Sequence, residues 1–183
     1  MSKNTVSKRF ALLFLLGALF LGACNPKYNW REVQGKDAPF VVLLPDKPVT
    51  VTRNVNLGGA SVPMTMTAAE VDGVSFAVGY VLLTDANRAP EALNAMKSAL
   101  LRNINGTIKA TPSANPQAPA TSEANGNNDI EAIGRRNGGG EPLLLLGHFA
   151  AKDNRIYQVI VLGNEKAVSR DEAKTFLSSF KLN

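Results

Sequence analysis

"SVPMTMTAAEVDGVSFAVGYVLL", Ser61 to Leu83, decides the fold of this 183-residue chain. Val62, Met64, Met66 and Ala68 fall on one side of an extended backbone, and Thr65 and Thr67 on the other, because successive strand side chains point to opposite faces. Val74, Phe76, Val78 and Tyr80 repeat the alternation. Asp72-Gly73 between the two runs suits a type I′ turn, whose positive φ angles glycine tolerates and whose twist matches antiparallel strands. Pro63 has no N–H to give to a ladder and predicts that its strand lies at a sheet edge or begins there. The stretch therefore reads as a hairpin, and the domain as one built on antiparallel sheet.

Upstream, "PFVVLLP", Pro39 to Pro45, is a continuous apolar run bounded by prolines, the pattern of a strand covered on both faces. "KPVTVTRNV" then alternates Val49 and Val51 against Thr50 and Thr52, as a half-exposed strand does, and "NLGGA", Asn56 to Ala60, supplies a turn. Trp30, with Val33 alternating beside it, reads as a core residue, with a place near lipid headgroups as the alternative.

Downstream the period changes. In "APEALNAMKSALLRNING" Leu93, Met96, Leu100, Leu101 and Ile104 recur at helical spacing, Pro90 suits a first turn and Asn105-Gly106 a C-terminal stop. Residues 110–128, "ATPSANPQAPATSEANGNN", contain no large apolar side chain. They predict a mobile surface loop, because nothing there offsets the entropy of ordering. Its Pro116-Gln117-Ala118-Pro119 is formally a PxxP, of little weight in a proline-rich stretch. "DIEAIGRR", "EPLLLLGHFAA" and "RIYQVIVL" read as a meander whose last two strands are central, since both their faces are apolar. Ser169-Arg170-Asp171-Glu172 is a capping box opening a helix with Ala173, Phe176, Leu177 and Phe180 facing inward. The expected fold is α+β, an antiparallel sheet of about six to seven strands covered by two helices. The opening "FVVLLPDKP", the "RIYQVIV" strand and the "SSF" ending give residues 30 to 182 a loose resemblance to the PsbP-like α/β/α family of small secreted proteins. That resemblance implies a sandwich with helices outside the sheet. It implies little about activity, since members are often non-catalytic accessory subunits.

The amino terminus carries a different signal. Met1 to Arg9 are polar and basic, Phe10 to Ala23 are uncharged and apolar, and the small residues Gly22 and Ala23 precede the only cysteine, Cys24. This is the order of a secretory signal, and its apolar run is shorter than the approximately 20 residues of a transmembrane helix. Leu21-Gly22-Ala23-Cys24 resembles the lipobox of bacterial lipoproteins. The resemblance implies diacylglycerol on the Cys24 sulfur, cleavage between Ala23 and Cys24, and acylation of the new amino terminus. Two or three fatty chains, at about 0.8 kcal/mol per buried methylene, hold a protein firmly where one does not. Residues 1–23 are then a signal peptide, 24–29 a lipidated tether and 30–183 a single domain. Asn25 after the lipidated position is not the Asp that retains enterobacterial lipoproteins in the inner membrane. The expected location is therefore the outer membrane facing the periplasm, with inner membrane or cell surface as alternatives.

Cleavage also removes Lys3, Lys8 and Arg9 and no acid, so the 20 basic residues fall to 17 against 15 acidic ones. A nearly neutral domain without an RNP-like, zinc-finger or basic-helix pattern gives no case for nucleic acid. No His/Cys/Asp/Glu spacing marks a metal site, and no cofactor motif occurs. His148, the one histidine, shares a face with Leu144, Leu146 and Ala150 and reads as a satisfied, partly buried residue. No G-x-S-x-G elbow accompanies it. "GRRNGGGE" lacks the lysine of a phosphate loop and reads as a hairpin tip, from which Arg135-Arg136 could meet an acidic partner or a headgroup. The expectation is a non-enzymatic binding, assembly or envelope-maintenance factor, attached to membrane lipid through Cys24 and serving an envelope protein partner. The alternatives are a carrier of a small apolar ligand and a hydrolase using His148.

Overall fold

The structure is a computed structural model, and it describes residues 27–109, 128–136 and 139–183. The expected signal peptide, the lipobox with Ala23 and Cys24, and all but Asn128 of the expected 110–128 loop lie outside these residues.

Seven strands form one antiparallel sheet in the order β3 (Val49–Leu57), β4 (Ala60–Val71), β5 (Val74–Leu82), β9 (Arg155–Asn164), β8 (Leu143–Lys152), β7 (Asp129–Gly134), β6 (Thr107–Ile108). The deciding hairpin is β4–β5, closed by Val71 opposite Val74. Asp72 and Gly73 have φ 49° and 74°, as a type I′ turn requires. A second two-residue turn, Asp153-Asn154 with positive φ (55°) at Asp153 alone, joins β8 to β9.

The α+β class, the antiparallel sheet and the two helices are as the sequence predicts, but sheet membership differs. "FVVLL" forms β2 (Phe40–Leu44), which leaves the large sheet and is the centre of a small one, flanked by β1 (Arg31–Gln34) and β10 (Lys181–Leu182). A continuous apolar run specifies burial on both faces and says nothing of which strand it pairs with. The seventh place in the large sheet goes to two-residue β6, laid against β7 directly after the helix stop at Asn105, φ 45°. Pro63 is also not on an edge strand, because β4 lies between β3 and β5. Pairing with β5 begins only at Met64 opposite Val81, so the missing N–H costs no ladder bond there.

The large sheet is the middle of three layers. On one face Phe76, Val78, Leu144, Tyr157, Val159 and Val161 pack with Phe40, Val42 and Leu44 of the small sheet and with Ala173 and Phe176 of helix α2 (Arg170–Ser179). Helix α1 (Ala89–Asn103) covers the other face, where Met96 meets Phe149 and Ile156, and Ile104 meets Ala132, Leu145 and Ile160. The Ser169 hydroxyl accepts from the Glu172 N–H to cap α2. At its far end the Ser179 hydroxyl accepts from the Leu43 N–H at 2.9 Å and donates to the Phe176 carbonyl at 2.6 Å, tying the helix to β2.

Near the start of the described residues the Tyr28 ring stacks on Trp30 and meets Phe76 edge-on. Trp30 also lies edge-on to Phe76, at 6.2 Å between centroids, which makes it a core-packing residue.

Candidate functional site

A cleft of about 610 Å³ opens where α2 leaves β7 and the middle of β8 uncovered. Its position follows from register. Asp129 is opposite His148 and Glu131 opposite Leu146, so the two acids of β7 share one face with His148 and the apolar Leu146. From the helix side Arg170, Lys174, Leu177 and Ser178 line the same space, at the three- and four-residue intervals of one helix face, and Phe180 closes it beyond the helix end.

Charges in the cleft are largely paired. The Arg170 guanidinium donates to both carboxylate oxygens of Glu131, at 2.8 and 3.0 Å. Lys109 stands 3.5 Å from the same carboxylate. Hydrogen bonding from Arg170 holds the Glu131 carboxyl below the usual carboxylate range, against the opposing effect of its partial burial. Arg170 in turn is raised by Glu131. His148 Nδ1 is 2.6 Å from Asp129 Oδ1, with the imidazole about one-third exposed, and its ring centroid lies 6.2 Å from that of Phe180. A carboxylate at Nδ1 favours the tautomer with hydrogen on that nitrogen and leaves Nε2 as the acceptor. Nε2 and the Lys174 ammonium have no partner among the described residues, so both are available to an incoming group.

His148 shares its face with Leu144, Leu146 and Ala150, which pack against the core, as its alternation in β8 predicts. The chemistry the cleft can perform is narrower than its residue list. Asp129 and His148 have the base-and-orienter relation of a hydrolytic triad. Ser178, the hydroxyl in the same cleft, donates instead to the Thr175 carbonyl at 3.3 Å, a bond within its own helix. Among the described residues no three His, Cys, Asp or Glu side chains form a group that could hold a metal ion.

Arg135, at the end of β7, donates to the Gly140 carbonyl at 2.6 Å and its own N–H to the Ile104 carbonyl at 2.6 Å, so it works as a turn clasp. The Pro116–Pro119 stretch lies outside the described residues. A second, smaller crevice of about 130 Å³ lies between the β3–β4 turn and the start of α1, near Leu57, Leu83 and Arg88.

Asp129, Glu131, Arg170 and Lys174 were not singled out by sequence. A signal existed in the alternation of Asp129 and Glu131 on one strand face and the i,i+4 spacing of Arg170 and Lys174. Nothing local pairs the two sets, which are 39 residues apart at the Glu131–Arg170 contact. No protein-family model matches the chain, and no curated protein is significantly similar to it.

Proposed function

We propose that the chain is a bacterial lipoprotein, anchored by acylated Cys24 in the outer membrane and facing the periplasm, whose domain is a non-catalytic binding or assembly factor of the envelope. The observation that carries the anchor is Leu21-Gly22-Ala23-Cys24 after a charged n-region and an apolar h-region. The three-layer arrangement supports the likeness to PsbP-like sandwiches and, with it, an accessory role.

Tyr28 is docked in the core, four residues after Cys24, which is roughly 14 Å of extended chain. Lys27 Nζ pairs with Asp72 Oδ2 at 2.9 Å, so the tether leaves beside the β4–β5 turn.

Partner binding is assigned to the His148 cleft, where Lys174 and Nε2 are open and Leu146, Leu177 and Phe180 offer apolar area. The paired Asp129 and His148 also favour the hydrolase reading; what it lacks is a hydroxyl turned toward Nε2, given the bond from Ser178 to Thr175. The apolar-carrier reading is disfavoured because the α1 crevice, about 130 Å³, is below the roughly 300 Å³ and more of small-molecule pockets, and the larger His148 cleft is lined by the charged Asp129, Glu131, Arg170 and Lys174. Crosslinking the acylated protein in its own envelope tests the assignment. One protein should be captured, and Lys174→Glu should abolish its capture. Ester hydrolysis lost specifically in His148→Ala would instead establish the enzyme.

A further inference from the structure

The large sheet ends on β3, a nine-residue strand with no neighbour beyond it among the described residues. Edge strands are ordinarily blunted by charge, proline or a bulge. Inside β3 there is no proline, its register with β4 runs unbroken from Val49 to Leu57, and Arg53 is its one charge. Val49 and Val51 stand 65% and 41% exposed.

The free backbone groups are identifiable. Gly58 and Gly59, at φ 60° and 92°, make a two-residue turn closed by Leu57 opposite Ala60. Such a turn closes on a hydrogen-bonded pair, after which bonded and non-bonded pairs alternate. Val55, Arg53, Val51 and Val49 therefore bond to β4, while Asn56, Asn54, Thr52 and Thr50 aim their N–H and C=O groups outward. Asn54 opposite Pro63 agrees, since a non-bonded pair requires no N–H from the proline.

We propose that β3 pairs antiparallel with β3 of a second copy of this chain, about a twofold axis at Val51. This register is self-complementary. Val51 covers Val51 of the other copy, and Thr50 meets Thr52 across the axis in both directions, forming about four backbone hydrogen bonds. The hydroxyl contacts already present, Thr50 with Thr67 at 2.9 Å and Thr52 with Thr65 at 2.8 Å, extend by another strand. Arg53 falls opposite Val49, whereas a register centred two residues later would set Arg53 against Arg53, like charges directly opposed. Pro48 ends the ladder. The buried area is below that of a standard interface, so the dimer is reversible and concentration-dependent.

The full chain carrying Val51→Cys, mildly oxidised with the unaltered chain as blank, should give a disulfide-linked dimer, and Asn154→Cys on the remote turn should not. Adding Thr52→Pro removes an outward N–H and should abolish the cross-link. Val51→Lys, at an exposed position, keeps the fold and should sediment as monomer at concentrations where the unaltered chain shifts to dimer. Val51→Cys remaining monomeric, or linking only to a polypeptide of another mass, overturns the proposal.

Discussion

Tyr28 and Trp30 stack with ring centroids 5.9 Å apart and planes 17° from parallel, and both rings meet the edge of buried Phe76. The pair seats the start of the described chain in the core of the domain that an acylated Cys24 would carry. If Cys24 is acylated as proposed, four residues separate it from the Tyr28 ring, and the hold of these two rings sets how far the domain can stand from the bilayer.

Trp30→Ala removes a stack and an edge contact from a half-buried position, a smaller loss than a fully buried aromatic. Its cost should be about 2 kcal/mol, read as a lower midpoint in urea unfolding at unchanged slope. An unchanged midpoint would mean that the aromatic cluster does not hold the entry strand.

Gly134 sits where β7 crosses the end of α1. A Cβ there would overlap the Ile104 carbonyl oxygen and crowd the Ile104 side chain, and that carbonyl accepts from the Arg135 N–H. Backbone cannot yield as a flexible side chain can, so Gly134→Ala should destabilise by about 1–3 kcal/mol. Thermal melting of the variant checks this.

Glu131 has its folded carboxyl lowered, first by hydrogen bonding from Arg170. A lowered carboxylate contributes stability above its unfolded value, near pH 4.3, and loses it as pH falls through the folded value. Glu131→Gln should therefore cost a few tenths to about 1 kcal/mol at pH 7, the range for a largely exposed pair. The difference from the parent should shrink as pH falls below the unfolded value and vanish once pH lies below the lowered folded one. Stability measured against pH for both proteins gives the comparison.

Ser169 accepts the Glu172 N–H at the start of α2. Ser169→Ala leaves that donor without its cap and should cost about 1 kcal/mol. Because α2 forms the helical wall of the cleft, hydrogen exchange at its first turn should rise with the loss.

The hairpin from Ser61 to Leu83 was legible because alternation, a two-residue turn and β-branched residues all agree, and α1 because Met96 and Ile104 recur at helical spacing. The small sheet was not legible. Phe40 to Leu44 announces a buried strand without naming its partners, and β1, β6 and β10 are too short, or too polar, to leave a period. His148 could be placed on its strand face from sequence. Its cleft could not, since Asp129 meets it through strand register and the Arg170–Glu131 pair closes only once α2 has docked on β2.

Replacing one sulfur tests the central claim most directly. Cells expressing the wild type and Cys24→Ser are labelled with a fatty acid, and the intact mass of each product is measured. The wild type should incorporate label and have a mass equal to residues 24–183 plus its acyl groups, while Cys24→Ser should remain unlabelled precursor of full length. A wild type without label, or a Cys24→Ser product processed to the same cleavage site, would contradict the lipid anchor.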